Sequence, residues 1–204
     1  MRPAAENFME IVKVTMRLFV ALDLSWQSKK EIKKLLSKLF KKHWPVKWVK
    51  AGQLHLTLAF LGQLKKEKLK LVNQACRQAV EKIKPFAVSF KGLGCFPGYD
   101  WPQVIWLGLK GDLQTLAVLE KKVKQALGQQ GFSIDERSFS PHVTLGRIKQ
   151  AGSGQRKEIG RQLKALRVLD LKSQTLVDKL IVYQSSLLPK GPVHKKLTVI
   201  SLEK

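Results

Sequence analysis

Two octapeptides in the chain, "HLTLAFLG" at 55–62 and "HVTLGRIK" at 142–149, open on the same pattern of histidine, apolar residue, threonine and leucine. Both are apolar and β-prone, so each reads as a strand, on which residues i and i+2 share a face. His55 and Thr57 then point one way with Leu56 and Leu58 opposed, and His142 and Thr144 repeat this with Val143 and Leu145 opposed. An imidazole titrates at about pH 6.5 and can give or take a proton near neutrality. Two of them on opposite sides of one bound atom suit displacement at phosphorus, where the attacking and leaving oxygens lie in line. One imidazole takes a proton from the nucleophile and the other gives one to the leaving group. The Thr57 and Thr144 hydroxyls can donate to the non-bridging oxygens without adding charge. Arg147, five residues after His142, could hold the same oxygens through its guanidinium. That odd offset sends it to the wrong face of a regular strand, and Gly146 offers a place for a bulge to re-aim it. The matching residue of the first copy is Phe60, so the pair is not fully symmetric.

A lone His-x-Thr is most simply a strand that begins with histidine. Here two of the four histidines occupy one context at one place in a repeated unit. A duplicated core with two structural histidines is the competing reading. No cysteine or carboxylate cluster at ligand spacing surrounds either histidine, so no metal and no other cofactor is expected. His43 reads as a helix-end residue. His194 follows Gly191 and Pro192 in an expected loop, without an assigned role.

The elements that must position these residues recur in order. A strand at 17–24 is followed by an amphipathic helix at 28–43, with Ile32, Leu35, Leu36 and Leu39 at helical spacing. The first motif strand, a helix at 65–83 and a strand at 86–96 come next, before a turn at 97–102. A strand at 103–110, a helix at 112–131, the second motif strand and a helix at 155–169 repeat the order, and strands at 176–187 and 195–204 close it. His142 lies 87 positions after His55, and Val104, which opens the corresponding strand, lies 87 after Arg17. The expected fold is α+β: a bilobal, pseudo-twofold duplication of a β-α-β-α-β unit, with mostly antiparallel sheets facing a central groove. One domain is expected over 16–204, with halves at 16–96 and 103–204 whose tails can cross over. Residues 1–15 are expected to form an N-terminal extension outside it.

Composition narrows the setting. The chain has 204 residues, 44% of them hydrophobic, which is enough to bury a real core. No apolar run approaches the roughly 20 residues of a membrane helix, and the N-terminus lacks a secretory h-region. Cys76 and Cys95 cannot make a disulfide framework, and Cys76 reads as core, so a reducing, cytoplasmic setting is expected; a monomer is expected as well. The 38 Lys+Arg against 15 Asp+Glu give a net charge of +23, which attracts polyanions. Most lysines lie on expected helix faces, so a solvated coat explains them equally well; nucleic acid is the favoured partner.

The segments "MRLFVALDLS", "LHLTLAFLG", "VIWLGL" and "FSPHVTLGR" together resemble the two-histidine phosphoesterases, and within them the RNA 2′,3′-cyclic phosphodiesterases, also called 2′-5′ RNA ligases. The resemblance covers roughly 16–204. It implies a bilobal fold with the site in the groove, no metal, and RNA with 2′,3′-cyclic phosphate ends as the partner. It also implies His55 as general acid toward O3′, His142 as the base that activates water, Thr57, Thr144 and Arg147 as phosphate contacts, and a 2′-phosphate product. Many relatives carry a tyrosine after a late glycine, where this chain has "GPVHKKL" with His194. Joining of RNA ends in reverse and a non-catalytic RNA-binding module are the alternatives.

Overall fold

The computed structural model describes residues 15–135, 137–189 and 191–203. In chain order these form β1 (Thr15–Asp23), α1 (Trp26–Phe40), β2 (Val46–Trp48), β3 (His55–Lys65), α2 (Leu69–Val80), β4 (Phe86–Phe96), β5 (Val104–Gly111), α3 (Leu113–Gln129), β6 (His142–Ile148), α4 (Ser153–Ala165), β7 (Asp170–Val177), β8 (Lys179–Leu188) and β9 (Gly191–Ser201). Of the expected extension, residues 1–14 lie outside the described residues, and Thr15 opens β1, paired with Lys65.

Local chemistry starts the helices at matching places. The Ser25 hydroxyl accepts from the Ser28 N–H at the head of α1, and the Asp112 carboxylate, 87 positions on, accepts from the Thr115 N–H at the head of α3. Ile32, Leu35 and Leu39 of α1 and Leu116, Leu119 and Val123 of α3 are buried at helical spacing against the sheet. Cys76 is fully buried in α2. His43 lies in the turn beyond α1, its N–H donating to the Phe40 carbonyl.

The strands make one antiparallel sheet in the order β7-β4-β5-β6-β3-β1-β8-β9, with β2 added beside β6. The two halves therefore meet within a single sheet, where Leu56 of β3 pairs with Val143 of β6. The third strand of each half crosses over: β4 lies beside β5 and β8 beside β1. Leu18, Val20, Leu56, Leu58, Val143 and Leu145 point into the main core under the helices. The other face carries a small cluster of Phe19, Ala21, Ile181 and Tyr183. All five residues Leu18–Leu22 are buried because both faces of β1 are covered.

Two strands have no clear signature in the sequence. β2 is three residues long, too short to show a period. β7, "DLKSQTLV", is largely polar and reads as loop, yet its backbone is held from α1, where Glu31 accepts from the Lys172 and Ser173 N–H groups at 3.1 and 2.8 Å. His194, expected in a loop, is in β9 opposite Ser185.

Candidate active site

His55 and His142 stand at the first positions of β3 and β6, on the face away from the helices. Their environments match element by element. The Nδ1–H of His55 donates to the Gln53 carbonyl at 2.7 Å, and that of His142 donates to the Ser140 carbonyl at 2.7 Å. A carbonyl only accepts, so both rings carry their Nδ1 proton and leave Nε2 for proton transfer. Each ring also rests on two aromatic side chains. His55 lies 4.9 Å from Phe19 and 6.0 Å from Tyr183, between ring centroids. His142 lies 6.2 Å from Trp106 and 5.0 Å from Phe96. Phe19 and Trp106 are 87 positions apart, as are Phe96 and Tyr183, and Gln53 and Ser140.

The register sets the threonines. With Leu56 opposite Val143 in an antiparallel pair, His55 falls across from Thr144 and Thr57 across from His142. The two imidazoles are then diagonal neighbours, about 7–8 Å apart in a regular sheet. The two motif strands are neighbours where the halves of the sheet join, so both imidazoles stand at that joint.

Arg147 returns to the histidine face through a bulge. Trp106 opposes Thr144 and Ile105 opposes Gly146, so Leu145 is the extra residue of β6. Leu58, its counterpart in β3, is likewise extra, because Ala21 opposes Thr57 and Val20 opposes Ala59. Each bulge buries two consecutive residues and swings the following residue, Arg147 or Phe60, out to the exposed face.

A cleft of about 520 Å³ covers this face. His55, Thr57, Thr144, Arg147 and His194 line it; His142, two residues before Thr144 on β6, is not among its lining residues. Its lining is cationic: Arg17, Lys47, Lys50 and Lys149 join Arg147, and no carboxylate is among the described lining residues. The β8–β9 hairpin also lines it, with Leu187, Leu188 and Val193 exposed. Gln53 ties this hairpin to the site, its side-chain amide donating to the Pro192 carbonyl.

Burial dominates the electrostatics. It pushes the His55 pKa down to about 4, aided by neighbouring His194 and opposed by the hydrogen bond to Gln53 and by the Asp23 carboxylate across the strand pair. Burial also lowers His142, and the Arg147 guanidinium lowers it further. Asp23 is itself paired with Lys29 and Lys196. Among the described residues, no group of three or more His, Cys, Asp and Glu side chains is arranged to hold a metal ion. Nor is any described helix long and apolar enough to cross a membrane.

Comparison with known proteins gives a consistent family. Residues 23–184 match the 2′-5′ RNA ligase superfamily. A Thermotoga maritima protein named RNA 2′,3′-cyclic phosphodiesterase is 31% identical over 89% of this chain and 93% of its own. An Archaeoglobus fulgidus protein of the same name is 34% identical over 90% of this chain and 99% of its own. Among solved structures, a Thermus thermophilus protein superposes with a TM-score of 0.73 at 28% identity, covering 92% of this chain and 98% of its own. Escherichia coli LigT, at 24% identity and a TM-score of 0.76 over 94% of this chain and 99% of its own, shares the fold.

Proposed function

The chain belongs to the 2′-5′ RNA ligase superfamily, and we propose that it is an RNA 2′,3′-cyclic phosphodiesterase, a phosphoric diester hydrolase that opens the cyclic phosphate to a 2′-phosphate end. One observation carries the reading of the site. Two imidazoles on neighbouring strands are each anchored through Nδ1 to the carbonyl two residues back, so both keep Nε2 free on one face.

In the step this supports, His142 Nε2 takes a proton from water as the water oxygen bonds to phosphorus. The bond from phosphorus to O3′ breaks, and His55 delivers its Nε2 proton to that oxygen. The products are a 2′-phosphate and a 3′-hydroxyl, and solvent exchange of one proton resets the pair. Thr57, Thr144 and Arg147 donate to the non-bridging oxygens, where charge builds in the transition state. One charge beside each ring fits this division of roles, while His194 and Lys29 also act on His55 and lower its pKa. Asp23 favours a proton on His55, whereas Arg147 favours the neutral form of His142. Because burial keeps both rings neutral in the free protein, the anionic substrate is the countercharge that helps the acid take up its proton.

RNA is the partner, and the cationic lining formed by Arg17, Lys47, Lys50 and Lys149 suits its backbone. The test is to incubate the protein with an RNA oligonucleotide ending in a 2′,3′-cyclic phosphate and resolve the ends by chromatography and ³¹P NMR. A 2′-phosphate product is expected. A 3′-phosphate would overturn the choice of leaving oxygen, and recovery of unchanged cyclic ends would overturn the activity.

A further inference from the structure

His194 is a third imidazole at the site, lining the cleft with His55, and the proton transfers above do not use it. Its ring stands perpendicular to that of His55 at 5.3 Å between centroids and sets its edge against Phe19 at 5.0 Å. It faces His55 of β3, Phe19 of β1 and Ser185 of β8. Its hydrogen bonding differs from that of the other two. His194 Nδ1 is buried with no hydrogen-bond partner among the described residues. Either tautomer leaves Nδ1 without a partner, but a buried unpaired acceptor is tolerated more often than a buried unpaired N–H, which favours the proton on Nε2. Burial also holds the His194 pKa below the ordinary histidine value, so the ring stays neutral. What remains on the cleft is a neutral Nε2–H donor.

We infer that His194 is a substrate-binding residue whose Nε2–H donates to an oxygen of the nucleotide that carries the cyclic phosphate, on the His55 side of the cleft. The inference rests on the phosphodiesterase reading. It accounts for the asymmetry between the halves. Beside His142, the residue after the bulge is Arg147; beside His55, the equivalent residue is Phe60, which has no donor. A permanently charged guanidinium there would repel the proton that His55 must carry as the acid; His194 opposes that proton only when it is itself protonated, and its burial disfavours that form.

The test compares His194→Phe, which keeps a ring but has no donor, with His194→Gln, which keeps an N–H, on a cyclic-ended oligonucleotide and on its 2′-phosphate product. His194→Phe should raise KM and the product Kd about tenfold with a smaller change in kcat, and His194→Gln should recover most of that loss. Long-range ¹H–¹⁵N spectra of the wild type should show the His194 proton on Nε2, with a shift on adding the product nucleotide. Wild-type turnover with unchanged KM and Kd in His194→Phe would overturn the inference alone. So would equal losses in both variants accompanied by a fall in Tm, which would mark His194 as packing only. No turnover in the wild type would overturn the phosphodiesterase reading and this inference with it.

Discussion

Leu56 of β3 and Val143 of β6 face each other where the two halves of the sheet join, and both are buried against the helices. Because neighbours along a strand alternate faces, this one pairing turns His55, Thr57, His142 and Thr144 to the opposite side together. It also sets each histidine across from the other motif's threonine. The joint between the halves is therefore also the centre of the candidate site.

Removing either imidazole should stop most turnover without unfolding the protein. His55→Ala and His142→Ala should each lose about 10²- to 10⁴-fold in kcat on a cyclic-ended oligonucleotide. A nitrophenyl phosphodiester, whose leaving group needs no proton, should partly rescue His55→Ala but not His142→Ala. Rescue of His142→Ala instead would exchange the two roles. Full activity in either variant would remove the pair from the mechanism.

Both His55 and His142 are held below the ordinary histidine pKa, and the pH profile should follow. The kcat/KM profile reports the free protein, so its maximum should lie on the acid side of about 6.5. The kcat profile should move to higher pH, since a bound phosphodiester anion favours the imidazolium. Steady-state kinetics from pH 4 to 9 check this; a kcat/KM maximum above 7 would show that burial does not govern the site.

The same shifts predict loss of stability in acid. With folded pKa values depressed, the unfolded chain takes up protons first, so stability present above about pH 6.5 is lost as pH falls toward 4. Tm measured by circular dichroism should fall across that window, and His55→Phe should make the fall shallower. Parallel curves for the two proteins would refute the assignment to His55.

Gly146 leaves room for β2. A Cβ there would come within 2.5 Å of Val46 Cγ1 and 2.8 Å of Trp48 Cε3. Gly146→Ala should therefore destabilise by about 1–3 kcal/mol. It should also raise KM, because β2 brings Lys47 and Trp48 to the cleft. Denaturant melts and KM measured together test this; a fall in stability with unchanged KM would separate β2 from substrate binding.

Salt should act on binding more than on chemistry. Counterion release from a backbone held by Arg17, Lys47, Lys50 and Lys149 should raise KM for an oligonucleotide between 50 and 200 mM salt while kcat changes little. A cyclic mononucleotide, which spans less of that lining, should respond less. Equal responses would take these cations out of RNA binding.

Chelation should leave the rate unchanged, since two imidazoles and the donors around them account for every proton moved. Turnover measured in EDTA and again after adding a divalent ion tests this. Loss with EDTA and recovery with the ion would overturn the mechanism.

Alternation of apolar and polar residues is local, so much of the site could be read directly from the sequence. Leu56, Leu58, Val143 and Leu145 marked the core face of two strands, and that alone assigned His55, Thr57, His142 and Thr144 to one side. The repeat at 87 positions made the pairing of motifs visible. Arg147 was readable as a candidate, and Gly146 as a place for a bulge, but the bulged residue is Leu145, fixed by how Trp106 and Ile105 pair across β5. Partners are decided by burial between distant segments, and no local pattern records them. Only the folded sheet crosses β4 and β8 between the halves, lays the three residues of β2 beside β6 and draws polar β7 in as a strand through Glu31. His194 shows the difference most clearly. Gly191 and Pro192 make its neighbourhood read as a loop, and only the pairing of β9 with β8, opposite Ser185, brings its ring to His55.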